Sequence, residues 1–509
     1  NKKRGIQNKM RTFYVLGVDQ STQGTKAVLF DRNGKLIGRA DVPHRQIINE
    51  KGWISHNPSE IYENVLTACK EVIGKSAIDA DQIACMGITN QRETTVVWDK
   101  KTGRELADAV VWQCNRAKDI CVKMKDTYRC GQEVYEKTGL KLSPYYPAAK
   151  LAWLLENVPE IRQKVREGSA AFGTIDSWLL FKLTEGKVHK TDYSNASRTQ
   201  LFNLETLTWD EEICRYFGIE KNMLPEICDS DSCFGETTLG GLLKKPIPIC
   251  GVLGDSHGAL FGHNCRKKGG IKATYGTGSS VMLNTGEQKT VSKHGLSTSI
   301  AWKAGGQVSY VLEGNINYTG AVISWLKDEM GLIRSAGESE ALALEANKKD
   351  ETYIVPAFSG LGAPWWKNNA KAIITGMNRT TGKKELVKAA CDCIAYQIND
   401  VVKAMRADTG LEIQELCVDG GPTRNHYLMQ FQSDISEVRI KIPDAEELSV
   451  IGASYLAGIS AGIYDPDTIY RAISYDYYDV KMERAVRNKK IQGWESAVQM
   501  LLNNKEEKK

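Results

Sequence analysis

Two short turns rich in glycine and hydroxyl side chains constrain the fold of this chain most strongly. The first, residues 19–25 (DQSTQGT), joins two apolar segments, and the second, residues 276–280 (GTGSS), lies in the same way between two others. Apolar runs separated by such residues are typical of β-hairpins. Because each turn opens roughly half of the 509-residue chain, we expect two copies of one folding unit.

The remaining pattern predicts alternating strands and helices. Residues 81–89 and 109–112 are apolar in the manner of buried strands, whereas 60–73 and 385–405 carry apolar side chains at helical spacing. Residues 449–461 are rich in alanine and glycine, as a helix that packs closely on its neighbour would be. The sequence therefore predicts an α/β protein.

The length favours two domains, since a single domain usually has ~100–200 residues. An apolar strand at 247–254 leads directly into Asp255, and we place the domain boundary shortly after it. The expected domains are residues 1–262 and 263–509. We expect residues of both glycine-rich turns to line a cleft between them.

Composition excludes several classes of function. A formal net charge of +5 without a basic stripe argues against nucleic-acid binding, and no run of ~18 apolar residues is present that would cross a membrane. The basic residues 1–10 precede no apolar segment and do not resemble a secretory signal, and the tail 505–509 is expected to be solvated surface. Thirteen scattered cysteines indicate free thiols in a reducing compartment, which we take to be the cytoplasm.

The turn residues suit phosphoryl transfer from ATP, which needs donors around the phosphates, an acid for Mg²⁺ and a base for the attacking hydroxyl. Residues 21–25 supply backbone N–H groups and hydroxyls, and Asp19 is placed to hold Mg²⁺ through water. Gly276 and Thr277 offer a second phosphate grip. Each turn alone also fits an ordinary hairpin, but the pair favours a phosphate site.

Two further positions leave alternatives open. Asp255, at the end of a buried strand, fits a general base open to a cleft and equally fits the N-cap of a helix. The glycines at 420–421 allow the backbone to approach a nucleotide closely, or they form a tight turn.

A polar string at residues 90–94 (NQRET) interrupts two apolar runs. Its charged members, Arg92 and Glu93, favour a paired polar binding site beside the strands. A surface hairpin loop is the alternative interpretation.

Several longer strings resemble the glycerol kinases within the FGGY carbohydrate-kinase family. They are GITNQRETTVVWDKKTG (87–103), AVVWQCNR (109–116), FGTIDSWLL (172–180), TDYSNASRTQLFN (191–203), YGTGSSVMLNTGE (275–287), VPAFSGLGAPWW (355–366), VDGG (418–421) and LMQFQSDI (428–435). The resemblance runs in order from about residue 14 to 494. It implies an α/β fold of two ribonuclease-H-like (actin-like ATPase) domains around a deep cleft, and ATP-dependent phosphorylation of a small polyol, most simply glycerol to glycerol 3-phosphate.

The resemblance also implies roles for individual residues. Asp255 acts as the general base, and Asp19 helps to hold Mg²⁺. The residues implied to bind the polyol are Arg92, Glu93, Trp112, Tyr145, Asp255 and Ser256. The residues implied to bind ATP are Ser21, Thr22, Gln23, Lys26, Gly276, Thr277, Gly320, Gly421 and Asn425.

Departures from the family pattern raise an alternative substrate. Ser256 replaces the glutamine that usually meets the far glycerol hydroxyl, and Ser280 replaces an aromatic residue usually found opposite the tryptophan. Both changes make the pocket roomier and more polar, which favours a polyol or ketose of four to five carbons. Retention of Arg92, Glu93, Trp112 and Tyr145 favours a divergent glycerol kinase instead.

Other classes share the expected fold. An ATPase like actin or the heat-shock chaperones would keep the phosphate turns and the acid but would not need Arg92, Glu93 or Trp112. A binding module that has lost catalysis would not keep Asp19, Asp255 and Thr277 together. Members of the family are often homodimers or homotetramers, and we expect one of these assemblies here.

Overall fold

The computed structural model describes residues 13–503. The basic start at residues 1–10 and the charged tail at 505–509 lie outside this range. Contacts divide the chain into two compact units. Unit 1 contains the chain up to Gly262, together with Ile300–Val308 and Ser449–Ala472, and unit 2 contains His263–Ser299, Ser309–Leu448 and the chain from Ile473.

The strands are short and follow one another closely in the first half of the chain. They are β1 Tyr14–Gln20, β2 Gly24–Phe30, β3 Leu36–Pro43, β4 Ile47–Ile48, β5 Ile54–His56, β6 Ile83–Asn90, β7 Val96–Asp99, β8 Ala109–Val110, β9 Ala170–Gly173, β10 Lys190–Asp192, β11 Phe202–Asn203, β12 Thr208–Trp209, β13 Glu226–Cys228, β14 Glu236–Thr237 and β15 Ile247–Gly254. Those of the second half are β16 Ile271–Tyr275, β17 Ser279–Gly286, β18 Ser297–Ala304, β19 Gln307–Ile316, β20 Tyr353–Val355, β21 Ile373–Thr375, β22 Glu415–Asp419, β23 Arg439–Pro443 and β24 Tyr475–Tyr478.

The α-helices connect these strands. They are α1 Pro58–Ser76, α2 Lys118–Lys123, α3 Gly131–Thr138, α4 Pro147–Asn157, α5 Pro159–Arg166, α6 Ile175–Leu183, α7 Tyr193–Ala196, α8 Glu211–Tyr216, α9 Asp255–Gly262, α10 Gly320–Asp328, α11 Glu338–Glu345, α12 Lys383–Thr409, α13 His426–Ser436, α14 Leu448–Ser460 and α15 Arg484–Leu502. The helices predicted at 60–73 and 385–405 correspond to α1 and α12. The strand predicted at 109–112 is shorter than expected, because only β8 forms ladder pairs there, with β5.

Unit 1 is built on a six-stranded sheet in the order β14-β15-β6-β1-β2-β3. The central strands β1, β6 and β15 run parallel to one another, and β2 and β3 add an antiparallel meander. The central strands are buried along almost their whole length, which explains why they read as continuous apolar runs rather than as alternating ones.

Unit 2 repeats this topology. Its sheet contains the order β19-β17-β16-β22-β23-β24. Here β16, β22 and β23 are parallel, whereas β17, β19 and β24 run antiparallel to their neighbours. Strand for strand this matches β3-β2-β1-β6-β15-β14, so the duplication predicted from the two turns is confirmed.

Helix α14 packs on the sheet of unit 1, although it follows most of unit 2 in the sequence. Three central strands carry a glycine beneath it: Gly17, Gly87 and Gly251. A Cβ at Gly87 would lie 2.4 Å from the carbonyl oxygen of Ala453, and one at Gly251 would lie 2.8 Å from the same atom. The expected domains of 1–262 and 263–509 place this helix in the second domain, whereas its close packing places residues 449–472 in unit 1.

Within residues 13–503, no helix combines the length and the apolar character needed to cross a bilayer.

Candidate functional site

The β1–β2 turn of unit 1 is closed by its own serine. The Ser21 hydroxyl accepts hydrogen bonds from the backbone N–H groups of Gln23 and Gly24, both at 3.3 Å. It donates to the Gly24 carbonyl oxygen at 3.0 Å. The Ser21 hydroxyl, predicted to face phosphate, therefore already holds the conformation of the turn.

Thr22 connects this turn to an aromatic wall. Its hydroxyl accepts a hydrogen bond from the indole Nε1 of Trp112 at 2.9 Å, and its carbonyl oxygen accepts one from His44 Nε2 at 2.7 Å. The Trp112 ring in turn contacts Tyr145 edge-on, with ring centroids 5.6 Å apart. Thr22, predicted to bind phosphate, and Trp112, predicted to bind the acceptor, are thus joined by a hydrogen bond within unit 1. The sequence did not indicate this contact.

Asp19 and Lys26 lie opposite each other in the antiparallel β1–β2 ladder. Asp19 is buried at the end of β1. No group of three or more His, Cys, Asp or Glu side chains within residues 13–503 is arranged to hold a metal ion. A single carboxylate still suits Mg²⁺, which keeps several waters and is usually held by one or two carboxylates and the phosphates of its substrate.

The polar string at residues 90–94 is buried. Arg92 is 6% exposed and Glu93 2% exposed, so the alternative of a surface hairpin loop is wrong. The string follows β6, which lies near the middle of the sheet, and it stays bonded to the neighbouring strand, since the Gln91 N–H donates to the Gln20 carbonyl oxygen at 2.7 Å. Glu93 has a φ of 62°, a left-handed conformation that is uncommon for a residue with a side chain.

Three charged side chains meet at the ends of β6 and β15. The Nε of Arg92 lies 3.1 Å from Oδ1 of Asp255 and 4.0 Å from Oε1 of Glu93. The Asp255 side chain is 40% exposed, in contrast to the two buried partners. The structure therefore brings together Arg92, Glu93 and Asp255, all predicted for the acceptor, with the accessible carboxylate at their edge.

Asp255 is the first residue of α9, and Ser256 is the second. Oδ1 of Asp255 accepts the backbone N–H of Ser256 at 2.6 Å. The aspartate thus stands at a helix start, as the first helical residue rather than as the predicted N-cap, and it also lies beside a guanidinium with its side chain accessible, as the other alternative required. These two descriptions are compatible, and the helix start fixes the direction of the carboxylate.

Sequence reasoning missed two buried cations beside these residues. Arg198 donates from Nε to Oε1 of Glu93 at 2.6 Å. Lys150 donates from Nζ to the Pro144 carbonyl oxygen at 2.5 Å and also to that of Tyr145. Burial lowers the pKa of Lys150 to about 7, and the Glu93 charge opposes that shift. A signal was present in the sequence, since both cations occur in otherwise uncharged or apolar strings.

The nucleotide residues predicted in unit 2 lie around one cavity of about 670 Å³. This volume is within the range of small-molecule sites. Its lining includes all five predicted residues: Gly276, Thr277, Gly320, Gly421 and Asn425. It also includes residues that were not predicted, among them Ser324, Lys327, Ser339, Glu340, Cys391 and Arg424.

The β16–β17 turn and the start of α10 form one wall of the cavity. The Gly276 N–H donates to the Gly278 carbonyl oxygen at 2.8 Å, and the Gly320 N–H donates to the Gly276 carbonyl oxygen at 2.9 Å. A Cβ at Gly320 would lie 2.5 Å from that same oxygen. Glycine at 320 is therefore required for the close approach of α10 to the turn.

The glycines after β22 have different roles. Gly420 has a φ of 101°, and a Cβ there would lie 1.9 Å from the Tyr275 carbonyl oxygen, so it forms the tight turn. Gly421 lines the cavity, and a Cβ there would have no other atom within 4 Å. The tight turn is therefore confirmed at Gly420, whereas close approach of the backbone to a nucleotide stays a prediction for Gly421. Asn425 caps α13, since its Oδ1 accepts the Leu428 N–H at 2.9 Å.

A duplicated sheet of this order is typical of the two-domain, actin-like ATPase class. Here one unit carries a charged site and the other a glycine-lined cavity. Residues 14–262 match the N-terminal domain of the FGGY family of carbohydrate kinases, and residues 271–461 match its C-terminal domain. The chain belongs to the FGGY family of carbohydrate kinases.

Individual relatives agree along nearly the whole chain. Glycerol kinase 1 of Thermotoga maritima is 46% identical over 96% of this chain and 99% of its own, and the glycerol kinase of Caldanaerobacter subterraneus is 44% identical over 97% and 99%. The crystal structure of Plasmodium falciparum glycerol kinase with ADP superposes with a TM-score of 0.91 at 36% identity, covering 96% of this chain and 98% of that one. Gluconate kinase from Lactobacillus acidophilus shares the fold (TM-score 0.84, 23% identity, 96% and 97% covered).

Proposed function

We propose that this chain transfers the γ-phosphoryl group of ATP to glycerol and forms glycerol 3-phosphate. The observation that carries the proposal is the meeting of Arg92, Glu93 and Asp255 at the strand ends of unit 1. A guanidinium between two carboxylates offers directional donors and acceptors for neighbouring hydroxyls.

The relatives support glycerol as the acceptor rather than a polyol or ketose of four to five carbons. Proteins named glycerol kinase are 46% and 44% identical to this chain, whereas the gluconate kinase, at 23%, supports only the fold. Ser256 and Ser280, which suggested the larger acceptor, are then variations within a glycerol site. In unit 2 the Ser280 hydroxyl donates to the buried Glu313 carboxylate at 3.0 Å, so its polar character has a local use.

The positions of the acceptor residues within unit 1 support the roles that the resemblance implies for them. Arg92 and Glu93 bind vicinal hydroxyls, and the Trp112 ring contacts the carbon atoms, with Tyr145 beside it. Ser256, next to the base, meets the far hydroxyl. Such a site rejects analogues that lack a hydroxyl, because buried polar groups would be left unpaired.

Asp255 is the proposed general base. Its accessible carboxylate takes the proton of the attacking hydroxyl while the acceptor oxygen forms a bond to the γ-phosphorus. The bond from that phosphorus to the bridging oxygen breaks, and its electron pair leaves with ADP. Arg92, 3.1 Å from the carboxylate, orients the base during this step.

The nucleotide is assigned to the cavity of unit 2. Gly276 and Thr277 would contact the phosphates, whereas Gly421 and Asn425 would lie at the adenine and ribose. Gly320 keeps the start of α10 close to the phosphate turn. The β1–β2 turn of unit 1 supplies Ser21, Thr22, Gln23 and Lys26 for the phosphates, and Asp19 would help to hold Mg²⁺, which neutralises phosphate charge when bound.

We also propose a homodimer or homotetramer located in the cytoplasm. The state of the cysteines supports a reducing compartment, since all thirteen are free thiols in the structure. Equilibrium sedimentation tests the assembly: a monomer at micromolar concentration would contradict it.

The function is tested by incubating the purified chain with ATP, Mg²⁺ and glycerol and following the products by phosphorus NMR. The proposal predicts glycerol 3-phosphate and ADP in equal amounts, and negligible inorganic phosphate. The control omits glycerol. An ATPase like actin or a chaperone would instead release inorganic phosphate at a similar rate in both samples.

A further inference from the structure

Arg198 lies fully buried behind the proposed acceptor residues. Its side chain is 0% exposed and the Glu93 side chain 2% exposed, and Nε of the arginine lies 2.6 Å from Oε1 of the glutamate. A second guanidinium, that of Arg92, lies 4.0 Å from the same oxygen. One carboxylate oxygen therefore lies near two arginines: Arg198, which is the nearer, and Arg92, which also contacts Asp255.

The energetics of such a pair argue for a use beyond stability. Removing two charges from water costs several kcal/mol per ion, and a hydrophobic pair of similar volume is often as stable or more so. A buried arginine–carboxylate pair does supply fixed geometry, because the guanidinium is a rigid planar fork. Orientation of Glu93 is thus what Arg198 adds.

The backbone that carries Arg198 is attached to the ends of both site-forming strands. The amides of Asn195 and Asn90 exchange hydrogen bonds at 2.9 and 3.1 Å. The Ser194 hydroxyl accepts the N–H of Gly254, directly before the base, at 2.9 Å. Because Asn90 ends β6 and Gly254 ends β15, the arginine is held in a fixed relation to the acceptor residues.

Arg198 also approaches the aromatic side of the site. Its guanidinium carbon lies 5.3 Å from the ring centroid of Tyr146, within cation–π range. Tyr146 contacts Tyr145 edge-on, with ring centroids 5.2 Å apart. Arg198 thus contacts Glu93, which is proposed to bind a glycerol hydroxyl, and it is connected to Tyr145 through the ring of Tyr146.

We propose that Arg198 is a positioning residue of the acceptor site, which orients the Glu93 carboxylate toward a glycerol hydroxyl without touching the substrate. This inference rests on the proposed function, in which Glu93 binds the acceptor. A lysine could keep the charge at position 198 but not the planar geometry.

The first test is Arg198→Met, studied by steady-state kinetics and thermal unfolding. The expected result is a glycerol KM about 10- to 100-fold higher, because a small misplacement of a binding group has effects of that size. The KM for ATP stays within about twofold of wild type. A purely structural role would lower Tm and leave the glycerol KM of the folded enzyme unchanged, and that result would overturn the proposal.

Arg406→Met is the matched control. Arg406 is a partly buried arginine of unit 2 whose guanidinium donates to the carbonyl oxygens of Ser436 and Ile413. Its replacement is expected to lower Tm as well, but with an unchanged glycerol KM. A rise in glycerol KM equal to that of Arg198→Met would mean that loss of stability alone causes it, against the proposal.

A double variant separates the orientation of Glu93 by Arg198 from the cost of leaving a buried charge unpaired. Arg198→Met with Glu93→Gln leaves no unpaired buried ion of this pair, so it is expected to fold with a Tm above that of Arg198→Met. If Arg198 acts through Glu93, the glycerol KM of the double variant equals that of Glu93→Gln alone. Additive effects on KM would overturn the proposal.

Arg198→Lys covers the case in which Arg198→Met does not fold. It keeps a cation beside Glu93, and the expected glycerol KM is raised several-fold with little change in the KM for ATP. Wild-type enzyme is assayed in the same series. If wild type fails to phosphorylate glycerol, the proposed function is refuted. If wild type turns over normally, Arg198→Lys has a wild-type glycerol KM and the double variant shows additive effects, only the role of Arg198 is refuted.

Discussion

The two units share a sheet order, but different types of residue form the site in each. In unit 1 the site consists of charged side chains, two of them buried, at the ends of β6 and β15. In unit 2 the cavity is lined largely by glycines and small side chains beside backbone turns. The duplicated topology places a site in each unit, and the local sequence gives each the side chains that suit its proposed ligand, a small polyol in unit 1 and a nucleotide in unit 2.

The corresponding turns differ in the same way. In the β1–β2 turn the hydroxyls of Ser21 and Thr22 are engaged by the turn itself and by Trp112. In the β16–β17 turn Thr277 is exposed on the cavity wall. Loss of a hydroxyl is therefore expected to disturb the β1–β2 turn of unit 1 more than the β16–β17 turn of unit 2.

The largest effect is expected for Asp255→Asn. Loss of the general base should lower kcat with glycerol by about 10²- to 10⁴-fold. ADP binding, measured by calorimetry, should be unchanged, because the nucleotide cavity belongs to unit 2. Retention of more than a tenth of the wild-type kcat would contradict the role of Asp255 as base.

A pair of glycine variants tests the nucleotide cavity. Gly320→Ala should weaken ADP binding about 10-fold or more and also lower Tm, because the new Cβ would meet the Gly276 carbonyl oxygen. Gly421→Ala should leave Tm unchanged, since its Cβ meets open space, and should weaken only ADP binding. Equal loss of Tm in the two variants would show that the cavity geometry is not as described.

Trp112→Phe should have a smaller effect, which changes the KM values for both ATP and glycerol. It keeps an aromatic ring beside Tyr145 but removes the indole N–H that bonds to Thr22. We expect a rise of a few-fold in the KM for ATP as well as in that for glycerol, since one hydrogen bond contributes about 0.5–1.5 kcal/mol. An unchanged KM for ATP would argue that the turn is held without Trp112.

The smallest effect on activity is expected for Asp400→Asn in α12. Burial raises the pKa of Asp400 to about 7, although Trp494 Nε1 donates to its carboxylate at 2.8 Å and opposes the shift. The folded state therefore holds a proton that the unfolded state has lost between about pH 4 and pH 7, and the free energy of unfolding falls as pH rises through that window.

Asp400→Asn should reduce this slope by the contribution of one proton, the remainder including that of the buried Asp176, whose pKa burial also raises to about 7. It should leave kcat unchanged, because an amide oxygen still accepts the Trp494 bond. Denaturant unfolding at several pH values measures how the free energy of unfolding changes with pH. Asp467→Asn, at an exposed position, is the matched control and should keep the slope. Persistence of the full slope in Asp400→Asn would contradict the assignment.

Much of the fold followed from local patterns. The two hairpins, and the acid that directly follows β15, lie in short strings that indicate their own conformation. The five residues that line the cavity of unit 2 were implied by the resemblance to the family. The contact of Arg198 with Glu93 joins residues 105 positions apart, and no local pattern encodes such a pair. Trp112 was expected to bind the polyol, but its bond to Thr22, 90 positions away, depends on the tertiary fold and could not be predicted.

The most direct test of the account is a comparison of acceptors with wild-type enzyme at saturating ATP. Glycerol is measured against erythritol, threitol, ribitol, xylitol, dihydroxyacetone, erythrulose, ribulose and xylulose. The account predicts that glycerol has the highest kcat/KM, by at least about tenfold over any acceptor of four or five carbons. A longer polyol or a ketose with a clearly higher kcat/KM would contradict it and would identify Ser256 and Ser280 as parts of a pocket for that substrate.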